Sequence, residues 1–207
     1  HEALHKAAKD LIYNDAAPGK LYHIMSVSGE EYCKGQFLHT FYSTTTHSGG
    51  GFTDYFNHKH LLYCESMNIT PRPLAIFQFE KTDIHNEYKI KNLHTGMYIT
   101  SFDGTHMGNE SEAAIVRVDG YADGQVTLTI GNKAPMHAQL DYGVISEKQA
   151  ATGNASLWSI DEITDITEVY HAVRIGAAGY STLYLNYPVE IPFGIIAYTE
   201  REIANGW

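Results

Sequence analysis

One short pattern occurs three times along this chain, in register. Gly35-Gln36-Phe37-Leu38-His39-Thr40 aligns with Gly96-Met97-Tyr98-Ile99-Thr100-Ser101 and with Lys133-Ala134-Pro135-Met136-His137-Ala138. A closing stretch comes after each of them: Ala75 to Glu80, Ala114 to Asp119, and Ser156 to Asp161. In those stretches Phe77, Val116 and Trp158 hold one place, and Phe79, Val118 and Ile160 hold another. A supersecondary unit repeated at this spacing cannot bury its apolar face alone, so the units must pack on one another around a shared core. The repeat therefore predicts that Phe77, Val116 and Trp158 cluster, with Leu38, Ile99 and Met136 beside them. The first unit is the longest because of an insertion around Thr44 to Asn57.

Each unit has room for four short strands. The runs between Lys20 and Thr164 alternate apolar and polar residues, as in Tyr88-Lys89-Ile90 and Val126-Thr127-Leu128-Thr129-Ile130. Gly, Asn and Asp punctuate them, which is the pattern of short strands joined by tight turns. Composition agrees: 15 Tyr and 18 Gly in 207 residues suit an all-β chain. Ahead of this region Ala3, Ala7, Leu11 and Ile12 fall on one face of a helix from about Glu2 to Asp15, which Pro18-Gly19 ends. A helix this short must dock on another surface. Behind the repeats, Ala177 to Leu185, Val189 to Pro192 and Gly194 to Thr199 read as a further β segment of three strands. Three strands do not close a core, so this segment is expected to pack on the repeats or to be part of a larger module. The expected organisation is an N-terminal helix over 1–19, the end of a preceding region; the repeats over 20–165; and a C-terminal β segment over 166–207.

The formal charge of -10 lacks the basic footprint that nucleic acid or an anionic membrane surface requires. No apolar run approaches the roughly 20 residues of a membrane-spanning helix. Cys33 and Cys64 are compatible with a disulfide in an oxidising compartment and equally with two thiols; their spacing does not choose.

Three four-stranded units resemble a β-trefoil. The strand, the Gly96-Met97-Tyr98-Ile99 type of stretch and the closing Trp158 are similar to the ricin-type lectin-like trefoils found as modules of secreted Bacteroidetes proteins. The third unit matches best, and the resemblance covers about Lys20 to Thr164. It implies an all-β fold, a secreted or cell-surface location, flanking domains of a parent protein as partners, and a glycan as ligand. It also implies sugar sites in the loops of each unit, where an acidic side chain takes sugar hydroxyls and an aromatic ring stacks on the sugar. The matching residues are Asp54 and Tyr55, Asp103 and His106, and Asp141 and Tyr142. Two departures stand out: Thr100 occupies a position where ricin-type sites carry an acid, and Ser156 replaces the Gln of the closing Gln-x-Trp.

Other chemistry is weakly signalled. His58 and His60 with Cys64 are ligand-type residues, and residues two apart in a strand share a face. No fourth ligand accompanies them, so neither a metal nor any other cofactor is expected. His39 and His137 occupy the same repeat position, which points to packing. No nucleophile elbow or zinc-protease helix motif is present. The Gly49-Gly50-Gly51 run lacks the Lys and helix start of a phosphate loop. The expected function is a non-catalytic, carbohydrate-binding accessory module. The alternatives are a protein-interaction or spacer module without a sugar ligand and, more weakly, a metal-assisted hydrolase built on His58 and His60.

Overall fold

The structure is a computed structural model. It describes residues 2–13, 18–27, 34–43, 59–65, 72–103, 106–138, 145–147, 156–164, 183–186 and 196–199. After helix α1 (Glu2–Ile12), the first unit contributes β1 (Tyr22–Ser26), β2 (Phe37–Ser43), β3 (Lys59–Glu65) and β4 (Phe77–Lys81). The second contributes β5 (Glu87–Asn92), β6 (Tyr98–Ile99), β7 (Met107–Gly108) and β8 (Val116–Gly120). The third contributes β9 (Gln125–Ile130), β10 (His137–Ala138), β11 (Ile145–Ser146) and β12 (Trp158–Glu162).

The first and last strands of each unit form a closed barrel. β1 pairs with β4, β4 with β5, β5 with β8, β8 with β9, β9 with β12, and β12 returns to β1, every pair antiparallel. The middle strands form one hairpin per unit, β2–β3, β6–β7 and β10–β11. This is a β-trefoil. Closure removes the unpaired strand edges that an open sheet of this size would expose.

The threefold register is explicit in the pairing. Tyr22 sits opposite Phe77, Tyr88 opposite Val116, and Val126 opposite Trp158. Alternation produces the core: along β5, Tyr88, Ile90 and Asn92 are buried while Glu87, Lys89 and Lys91 point outward. Phe77, Val116, Trp158, Leu38, Ile99 and Met136 are all fully buried in one cluster, as the repeat required. Burying side chains of this size contributes roughly 1.5–3 kcal/mol each before entropy is subtracted. The turn entering the hairpin repeats in the first two units. Ser26 N–H donates to Gln36 O at 2.9 Å and Gly35 N–H to Ser26 O at 2.9 Å. In the second unit Asn92 N–H donates to Met97 O at 2.8 Å and Gly96 N–H to Asn92 O at 3.0 Å. Gly35 and Gly96 have φ of 72° and 66°, a left-handed backbone that glycine adopts without a Cβ penalty.

The chain passes between units at one end of the barrel, and the three hairpins stand at the other. α1 packs at the inter-unit end, against β8, β9 and β12. Ala7, Ala8 and Leu11 enter the main core, and Ile12 packs at its margin. The Tyr88 hydroxyl donates to the Leu11 carbonyl, one of the last helix carbonyls that no helical N–H reaches. A Cβ on Gly120 would meet Ile12 Cδ1 at 2.9 Å, so glycine lets the helix end approach β8. Lys20 lies 3.6 Å from Asp10 and 3.5 Å from Glu162, spanning helix and barrel. The helix ends at Ile12, earlier than the position of Pro18-Gly19 suggested. In the C-terminal segment β13 (Leu183–Asn186) and β14 (Ile196–Thr199) pair antiparallel as a separate two-stranded sheet. Val189 to Pro192, read as a strand from sequence, lies outside the described residues.

Candidate functional site

The predicted binding residues lie, by sequence position, between the paired strands of the three hairpins. In sequence, Asp54 and Tyr55 fall between β2 and β3, Asp103 between β6 and β7, and Asp141 and Tyr142 between β10 and β11. Asp54, Tyr55, Asp141 and Tyr142 lie outside the described residues, so the geometry is that of the second unit.

There, Asp103 is exposed and its turn is held at two points. Its N–H donates to Ser101 Oγ at 2.9 Å, and the Ser101 hydroxyl donates back to the Asp103 carbonyl. Phe102 beside it is fully buried and anchors the turn to the core. Asp103 is thus an exposed carboxylate whose own backbone is hydrogen-bonded to Ser101 on both its N–H and its carbonyl.

His106 is placed differently from expectation. It is only 1% exposed, and its Nδ1 accepts from the Leu62 N–H at 2.8 Å. It ties the second hairpin to β3 of the first unit, and its ring does not face solvent. The reason is positional: the backbone of Thr100 pairs with that of His106 (2.8 Å), and at this register the hairpins of neighbouring units meet.

Glu112 is not among the residues that the sequence singles out for binding. Its Oε2 accepts from Asn109 N–H at 2.9 Å, and Glu112 N–H donates to Asn109 O at 3.0 Å. A Cβ placed on Gly108 would lie 2.7 Å from Glu112 Oε2 and 2.9 Å from Thr100 Cγ2. The Glu112 carboxylate and the Thr100 methyl thus both crowd the same face of Gly108, which leaves no room there for a side chain. A signal for it exists: Asn109 and, three residues later, Glu112 have capping-box spacing, and capping pulls such a glutamate back toward the preceding strand.

A second polar group lies outside the barrel beside this hairpin. The Tyr98 hydroxyl donates to Glu80 at 2.8 and 3.0 Å, and Lys91 Nζ sits 5.7 Å from the centre of the Tyr98 ring. Burial, then the hydrogen bond to Glu80, holds the phenol well above its ordinary pKa. The Tyr98 ring is buried and offers no face for stacking.

The remaining buried histidines serve packing. His39 and His137, which share a repeat position, are both buried, and burial lowers the His137 pKa. His23 Nδ1 lies 3.0 Å from the Ala75 carbonyl. His94 is buried, and that burial lowers its pKa to about 4. Cys64 is buried with Sγ 3.2 Å from Gln36 O, while Cys33 and His58 lie outside the described residues, as does the His60 side chain. Among the described residues no group of three or more His, Cys, Asp or Glu is arranged to hold a metal ion. No helix among them is long and apolar enough to cross a membrane.

No protein-family model matches the chain, and no curated protein sequence matches it. Solved structures do. A GlcNAcα1-4Gal-releasing endo-β-galactosidase from Clostridium perfringens aligns at TM-score 0.48 and 15% identity, over 70% of this chain and 33% of its own. The Polyporus squamosus lectin, solved with the epitope Neu5Acα2-6Galβ1-4GlcNAc, aligns at TM-score 0.46 and 16% identity, over 71% of this chain and 50% of its own. The BEL β-trefoil aligns at TM-score 0.43 and 11% identity, over 72% of this chain and 96% of its own. The chain thus spans a third of the first of these proteins and half of the second.

Proposed function

We propose that this chain is a non-catalytic, carbohydrate-binding module, an accessory part of a larger secreted or surface protein of the Bacteroidetes type. One observation carries the reading: the second unit holds two exposed carboxylates on hydrogen-bonded turns, Asp103 in the β6–β7 connection with its N–H on Ser101, and Glu112 after β7 with its carboxylate on Asn109 N–H. Carboxylates accept paired sugar hydroxyls through charge-assisted hydrogen bonds. The equivalent connections of the other units carry Asp54-Tyr55 and Asp141-Tyr142, an acid beside a ring suited to stacking on a pyranose. Such a module raises the local concentration of an attached partner on a glycan.

The test is titration against a panel of oligosaccharides and polysaccharides, monitored by tryptophan and tyrosine fluorescence. Saturable binding is expected. Replacing Asp103 and Glu112 together by Ala weakens the second site by about ten- to a hundredfold, since a hydrogen bond to a charged group contributes about 1.5–3 kcal/mol. Asp141→Ala with Tyr142→Ala should do the same in the third unit. Absence of binding across the panel removes the reading and leaves a protein-interaction or spacer module.

A further inference from the structure

Among the described residues four large hydrophobics are exposed, and three of them gather at the end of the barrel opposite the hairpins. Tyr13 is 55% exposed at the end of α1, Ile84 59% in the β4–β5 turn, and Tyr121 60% in the β8–β9 turn. They share one rim. Tyr13 lies with its ring 5.9 Å from that of His85, the neighbour of Ile84. Asn86 Nδ2 donates to Val118 O at 3.0 Å, joining the β4–β5 turn to β8. Ile12 contacts the Gly120 position, beside Tyr121. Scattered exposed hydrophobics need no explanation, but a cluster of two tyrosines and an isoleucine around one helix end marks a contact surface.

We propose that this rim is the docking surface for the chain's own C-terminal segment, the residues beyond β12. Three observations choose that occupant. First, β12 leaves the barrel at this end: Glu162 pairs with Tyr22 at the start of β1 and is joined through Lys20 to Asp10 of α1. Residues 165–207 therefore start at the same end of the barrel as the rim. Second, apolar residues come at once in this segment, Ile166, Val169, Tyr170 and Val173, and a stretch that carries them so densely needs a surface to bury them. Third, the segment carries the β13–β14 hairpin, a two-stranded sheet of four residues a side, which in water needs a surface to pack on. Docking there buries the rim and supports the hairpin while leaving the β2–β3, β6–β7 and β10–β11 loops open. The module then meets its ligand at one end and holds its C-terminal segment at the other.

Hydrogen exchange on the full chain tests this, comparing the wild type with a double variant, Ile84→Asp and Tyr121→Asp. Both positions are exposed, and protection of β5, β8 and β9 reports that the barrel is intact. In the wild type, peptides from 165–175, β13 and β14 are expected to be protected. In the variant that protection falls by about tenfold or more while the barrel keeps its own. A photo-crosslinking residue introduced at Tyr121 should give intramolecular links to peptides within 165–199. Free exchange of the segment in the wild type overturns the proposal, as does protection that survives the double variant. Links that form only between molecules, with a mass by light scattering of a dimer, assign the rim to a second copy and overturn it equally.

Discussion

Trp158 shows how one side chain holds a unit together. It is fully buried, it occupies the repeat position shared with Phe77 and Val116, and its Nε1–H donates to Met136 O at 3.0 Å. Trp158→Ala should cost about 3–5 kcal/mol by cavity formation. Trp158→Phe refills part of the space but strands the Met136 carbonyl, for about 1–3 kcal/mol. Chemical denaturation measures both, and a loss below about 1 kcal/mol for the alanine variant contradicts the core assignment. His94 gives the fold a pH dependence of known sign. Burial holds its folded pKa at about 4, below the unfolded value near 6.5. The unfolded chain then binds the proton more readily. Stability is full above about pH 6.5 and is lost as pH falls toward 4, by up to about 3 kcal/mol from this residue. Burial lowers the His137 pKa in the same direction. Replacing His94 by Gln should flatten the acid limb of a stability–pH profile; an unchanged slope between pH 6.5 and 4 counts against this account.

At the scale of elements, the turn entering the first hairpin rests on one left-handed glycine. Gly35 has φ of 72° with open space around its Cα, so a side chain there meets strain from the backbone alone. Gly35→Ala should therefore cost about 1–2 kcal/mol, the left-handed penalty for an L-residue. Gly35→Asn should cost less, because asparagine tolerates that conformation. Equal losses in thermal unfolding would show that contact, not dihedral preference, governs the turn. Helix α1 illustrates a different dependence. Its spacing of Ala7, Leu11 and Ile12 is readable as an apolar face, and Ala8 joins that face in the structure. What the face covers is not readable, because the barrel end it seals is assembled from strands far apart in sequence.

For the whole molecule, closure is the decisive step. β1 and β12 pair over five residues, from Tyr22–Glu162 to Ser26–Trp158, so the first unit is completed only by the third. A circle of this kind has no unit that keeps its core when another is lost. The barrel should unfold in one cooperative transition, with calorimetric and van't Hoff enthalpies equal for residues 20–165. Two resolved transitions within the trefoil would mean that the units are independently stable.

The sequence by itself determined the count of units, their register and the identity of the core. Phe77, Val116 and Trp158, with Leu38, Ile99 and Met136, can be named from it because a repeat places like residues in like surroundings and alternation sorts them inward. Asp103 can be assigned to a hairpin connection for the same reason. Only the tertiary structure decided which polar residues reach solvent. His106 has the sequence position of a loop ligand and is instead buried against Leu62 of another unit, while Glu112, a loop carboxylate by sequence, is drawn back against Gly108. The two differ in range: Glu112 is held by a capping contact three residues away in its own unit, His106 by a neighbouring unit. Local pattern records the period of a strand, whereas burial at a hairpin depends on contacts between units that only closure of the barrel brings together.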